Sequence, residues 1–97
     1  MDKQEIMERL SENRTTLCLN DTDLTDDDLK HLKGLTGLYW LYLNDTQITD
    51  SGLVYLQGLT ELRHLHLYGT KVTEEGVYNL KEDLPVCKIY YPKKNEQ

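Results

Sequence analysis

Phenylalanine is missing altogether, and the aromatic residues are seven tyrosines and one tryptophan. The core must be assembled from aliphatic side chains, with leucine foremost, in one small domain that buries a modest share of its surface. Cysteine is scarce: Cys18 and Cys87 are too few for a disulfide framework. No apolar run approaches the ~20 residues of a membrane span. The opening residues, MDKQEIMERLSENR, are too charged for a signal peptide, so a cytoplasmic protein with no membrane contact is expected. Basic residues are outnumbered, 11 against 17, and a net charge of −6 speaks against nucleic acid held through its phosphates. The acid is uneven. Residues 1–48 carry five Lys/Arg and ten Asp/Glu (−5), and residues 49–97 carry six and seven (−1).

What the chain does have is repetition. At an offset of 24, Leu17, Leu41, Leu65 and Ile89 share a column, and Leu19, Leu43, Leu67 and Tyr91 share another. Further columns are Leu24/Ile48/Val72, Leu29/Leu53/Val77, Leu32/Leu56/Leu80 and Leu38/Leu62/Val86. Residues 17–40 and 41–64 are identical at 13 of 24 positions. Within a unit the apolar period changes. "WLYLN" alternates, which predicts a short strand with Leu41 and Leu43 inward. "TDSGLVYLQGL" places Leu53, Leu56 and Leu59 at helical spacing, which predicts a short outer helix. Such a unit cannot bury its apolar face alone, and stacked copies can.

The pattern LxLxxTxITDxGLxxLxxLxxL resembles leucine-rich-repeat proteins, especially their bacterial and ribonuclease-inhibitor-like branches, and "LYLNDTQITDSGLVYLQGLTEL" follows it almost throughout. "LPVCKI" resembles the closing half-repeat of such arrays. The resemblance implies an α/β solenoid with a parallel concave sheet and outer helices, and says little about function. Residues 14–91 make about 3.5 repeats of 24. Residues 1–13 are expected to form an N-terminal capping helix with Ile6, Met7 and Leu10 on its inner stripe, and residues 92–97 a disordered tail. The family's turn asparagine is replaced by Thr22, Thr46 and Thr70, which predicts a ladder of hydroxyls instead of amides. The motif also drifts at the ends, to Asp26-Asp27-Asp28-Leu29 and to "EEGV".

The acidic stretch "LNDTDLTDDD" fails as an EF-hand, since counting from Asp21 puts Asp26 where glycine is needed and Leu32 where the bidentate glutamate belongs. Thr25, Thr49 and Thr73 are instead expected to cap the outer helices, with Asp26, Asp27 and Asp28 in the first turn. Asp21 and Asp45 fall in the loop after the strand. His64 and His66 share an outward face, but Cys18 lies two strands away at ~4.8 Å per strand, too far for a tetrahedral zinc site. No phosphate-binding glycine loop, nucleophile elbow or HExxH helix occurs, and a Cys18–His66 pair on an open sheet would lack a cleft. No catalytic residue, metal or cofactor is expected.

The outward strand positions form three columns: Thr16, Trp40, His64, Lys88; Cys18, Tyr42, His66, Tyr90; and Asn20, Asn44, Tyr68, Pro92. The only tryptophan, three tyrosines and two histidines therefore share one strip. Rings with polar tips are enriched at binding hot spots, which predicts an adaptor that binds a protein or peptide there. Trp40, Tyr42, His66 and Tyr68 are the expected anchors, with Asn44, His64 and Tyr90 in support. The alternatives are a homodimer through the C-terminal "CKIYY" edge strand, guarded only by Lys88, Pro92, Lys93 and Lys94, and a histidine-based metal surface.

Overall fold

A computed structural model describes residues 1–92 of the chain. It is an α/β protein with one parallel four-stranded sheet, in the order β1 (Thr16–Cys18), β2 (Trp40–Tyr42), β3 (His64–His66), β4 (Lys88–Tyr90). Each of the first three strands pairs with residues 24 positions downstream: Leu17 with Leu41, Leu41 with Leu65, Leu65 with Ile89. The connections carry two 3₁₀ helices, η1 (Asp27–Leu32) and η2 (Asp50–Leu56), and one α-helix, α2 (Glu74–Asp83). A short helix α1 (Lys3–Met7) precedes the sheet, capped reciprocally by Asp2 and Glu5. Its Ile6 is fully buried, and Met7 and Leu10 pack on the core. The helix is shorter than the sequence stripe because the chain turns at Leu10 to bridge Leu17 in antiparallel fashion.

The core is a leucine stack. Leu17, Leu19, Leu41, Leu43, Leu65 and Leu67 are wholly buried on one side of the sheet, with Leu24, Leu29, Leu32, Ile48 and Leu56 beneath them. The outer segments differ in type because their leucines differ in spacing. Leu29/Leu32/Leu35 and Leu53/Leu56/Leu59 recur every third residue, the period of a 3₁₀ helix, whereas Val77, Leu80 and Leu84 are spaced three and then four. That extra residue slides the last unit. Leu84 and Cys87 are buried, and the Cys87 N–H bonds to the Leu84 carbonyl as Leu62 does to Leu59. Val86, expected beside Leu38 and Leu62, is 62 % exposed.

Two further expectations are corrected. The Thr22, Thr46 and Thr70 hydroxyls form no ladder. Each donates back to the carbonyl three residues earlier, of Leu19, Leu43 and Leu67, and closes its own turn. Thr49 and Thr73 do cap η2 and α2, but Thr25 does not cap η1, whose N-cap position falls on Asp26. Asp26 reaches across to the next unit instead. Its carboxylate accepts the Thr49 backbone N–H at 2.8 Å and the Thr49 hydroxyl at 2.6 Å. Asp50 repeats both bonds to Thr73. Asp21 and Asp45 hold left-handed backbone, φ 59° and 58°, a conformation that aspartate tolerates better than most residues.

Candidate aromatic face

Strand alternation puts the leucines of β2 and β3, and Ile89 of β4, on the core side and leaves Trp40, Tyr42, His64, His66, Lys88 and Tyr90 on the other face. The parallel register then aligns rings from one strand to the next. Trp40 stacks on His64 at 5.9 Å between centroids and 7° between planes. Tyr42 stacks on His66 at 4.7 Å, and His66 on Tyr90 at 4.3 Å. His64 also stacks on Tyr90 at 6.3 Å, and the Tyr90 hydroxyl lies 3.5 Å from His64 Nδ1. Each histidine therefore lies between two aromatic rings on neighbouring strands.

This stacking divides the rings into two groups. Tyr42, His64, His66 and Tyr90 are half-buried against one another, whereas Trp40 is 38 % and Tyr68 51 % exposed. Asn44 works differently from the rest. Its backbone N–H donates to Asn20 Oδ1 and its own Oδ1 accepts the Tyr68 N–H, both at 2.8 Å. The asparagines are rungs between adjacent units, and Asn44 fixes the backbone that presents Tyr68.

Sequence alternation misses Tyr39, which shares its parity with the buried Leu41 and so reads as inward. Tyr39 lies just ahead of β2, where its N–H and that of Trp40 both donate to the Thr15 carbonyl, so the ladder alternation does not yet hold there. Tyr39 is 38 % exposed, 4.4 Å from Trp40 between centroids, and the Arg63 guanidinium carbon lies 5.8 Å from its ring centre. Arg63 is held there by bonds to the Thr60 and Leu62 carbonyls. The adjacency "YW" at the strand entry was the available signal.

Burial pushes the His66 imidazole below the ordinary histidine range, and neighbouring His64 lowers it further. His66 is therefore neutral at pH 7 and presents an uncharged ring to Tyr42 and Tyr90. Among the described residues no group of three His, Cys, Asp or Glu converges as a metal site. Cys18 is an exposed free thiol; burial pushes Cys87 up to about 11, leaving it protonated. A hollow between η2 and α2, lined by Asp50, Val54, Glu75 and Asn79, lies on the helical side, away from the rings. Among the described residues no helix is long and apolar enough to cross a membrane. Lys93 and Lys94, expected to guard the edge strand, and all but Pro92 of the expected tail lie outside the described residues. No protein-family model matches the chain, and no curated protein matches it in sequence.

Proposed function

We propose that the chain is a short leucine-rich-repeat solenoid whose sheet face binds a protein or peptide, and that it is a non-catalytic cytoplasmic adaptor. One observation carries this reading: the half-buried rings of Tyr42, His64, His66 and Tyr90 stack into a floor, and Tyr39, Trp40 and Tyr68 beside them are exposed. A solvated sheet face gains nothing from exposing its only tryptophan. The floor supplies rigidity, since its rings are immobilised before any partner arrives and lose little entropy on binding. The partner it suits offers an apolar or planar group for Trp40 and Tyr39 and a backbone or amide group for the tyrosine hydroxyls. Four short strands present less than the ~800 Å² per side of a standard interface, so a short peptide fits better than a broad protein surface.

The test is a displayed peptide library panned on the wild-type chain, with hits titrated by the fluorescence of Trp40. Tyr68→Ala and Tyr39→Ala, each checked for unchanged circular dichroism, should weaken binding at least tenfold, the loss of about 1.4 kcal/mol. Retention of full affinity by the double variant would overturn the assignment of this face.

A further inference from the structure

The two edges of the sheet are finished differently. At β1 the outer side is covered. Leu10 bridges Leu17, the Ser11 N–H donates to the Thr16 carbonyl at 2.9 Å, and the Thr16 N–H donates to Ser11 Oγ at 3.1 Å. At β4 no strand of the described residues covers the outer side. The Lys88 N–H goes back to the Arg63 carbonyl and the Tyr90 carbonyl receives the Leu67 N–H, so both residues aim their backbone groups at β3. By the alternation of a parallel ladder, Ile89 aims its N–H and C=O outward. Leu17, Leu41 and Leu65 serve their next strand in the same way, and among the described residues Ile89 has no next strand. The neighbouring outward carbonyl, of Cys87, is already taken by Lys81 Nζ at 2.5 Å.

We infer that the outer edge of β4 is a homodimerisation site, where a second copy of this chain pairs antiparallel about a two-fold axis through Ile89. Three observations select a second copy in that arrangement. Head-to-tail growth would require the β1 edge, which residues 10 and 11 occupy. A two-fold pairing needs only the outward edge of β4: Ile89 of each copy donates to and accepts from its counterpart, as directly opposed residues of an antiparallel pair do. The same symmetry sets Lys88 opposite the partner copy's Tyr90 on the ring-bearing face, an ammonium against an aromatic ring. Charge agrees, because the near-neutral C-terminal halves meet while the halves carrying −5 point apart. Tyr78, 67 % exposed, adds apolar area on the α2 face turned away from η2.

This interface shares only Tyr90 with the rings of the aromatic-face reading and gives a weak dimer, since three-residue edges bury far less than a standard interface. Sedimentation of the full chain from micromolar to millimolar concentration should show a monomer–dimer equilibrium. Over the same range the Ile89 amide should gain protection from hydrogen exchange while the Lys88 amide stays protected throughout. Ile89→Pro deletes an outward N–H, at a position where an edge strand accepts proline, and also trims a half-buried side chain that packs on the core; with folding checked by circular dichroism, it should weaken the dimer about tenfold or more. Trp40→Ala should leave it intact. A monomer at every concentration, wild-type dimerisation by Ile89→Pro, or loss of the dimer in Trp40→Ala would each overturn the proposal. If Ile89→Pro does not fold, the exchange of the wild-type Ile89 amide decides alone: protection rising with concentration supports the interface, and none overturns it.

Discussion

Two turns of nearly the same sequence, "LTDDDL" at residues 24–29 and "ITDSGL" at 48–53, carry opposite residues in one column, Asp28 and Gly52. The contrast follows from what lies upstream. Gly52 sits where the Asp26 carboxylate arrives to bond Thr49; a Cβ there would collide with Asp26 Oδ1 and lie 3.0 Å from Leu29 Cδ1. Gly76 stands in the same relation to Asp50. No earlier unit sends a carboxylate to Thr25, so the column is open, and Asp28 fills it. Asp28 Oδ2 accepts the Thr25 N–H at 3.0 Å and meets the Met1 amino group at 3.0 Å. Thr25, Thr49 and Thr73 thus each give their N–H to an aspartate, from within the unit in the first case and from the preceding unit in the others. Drift from the motif at the first unit is a substitution of source, with the bond conserved.

The largest effect should come from forcing the two turns to be alike. Gly52→Ala should cost about 2 kcal/mol through overpacking, a fall in Tm of roughly 10 °C, measured by thermal denaturation. Combined with Asp26→Ala, its cost should be less than additive, because the colliding group is gone; a double-mutant cycle reads that coupling. Gly58→Ala is the matching control. Nothing lies within 4 Å of its added Cβ, so it should be neutral or stabilise by up to about 1 kcal/mol.

The converse swap, Asp28→Gly, should cost about 1 kcal/mol as Thr25 loses its acceptor to water. It should also flatten the acid limb of the stability profile. Desolvation raises the Asp28 carboxyl, but the Thr25 N–H and the Met1 amino group outweigh it and hold the carboxyl below its usual range. Its contribution is full above the ordinary carboxylate pKa and fades as pH falls through the lowered value.

The smallest effect belongs to the ring face. The lowered His66 imidazole means that the unfolded chain takes up that proton first, so Tm should decline as pH drops below the ordinary histidine value of ~6.5. His66→Phe should reduce the slope of Tm against pH there.

These contrasts also explain how far the sequence could be read. Columns at a period of 24 reveal which residues are equivalent, and the leucine columns carry strand register and core because equivalent leucines stack directly. Contacts between different columns are invisible to that comparison. Asp26 meets Thr49 at a separation of 23 and crowds Gly52 at 26, so the carboxylate rungs leave no mark at the period of 24, whereas the threonines at 22, 46 and 70 are identical in every unit yet bond only within their own turns. Likewise the strip of rings was legible from alternation, whereas Tyr39 was not, since it stands where alternation stops. The ranking of exposed Trp40 and Tyr68 over half-buried Tyr42 and His66 required the stacking geometry. Asn44, expected as a contact, has its backbone N–H and Oδ1 committed to the rungs between units.

The middle unit, residues 41–64, carries both halves of the aspartate joint: Thr49 and Gly52 to receive a carboxylate, and Asp50 to send one. The first unit has Asp28 in the receiving place, and the last has Glu74 in the sending one. The middle unit is therefore the self-complementary one, and a longer protein of this design grows by copying it.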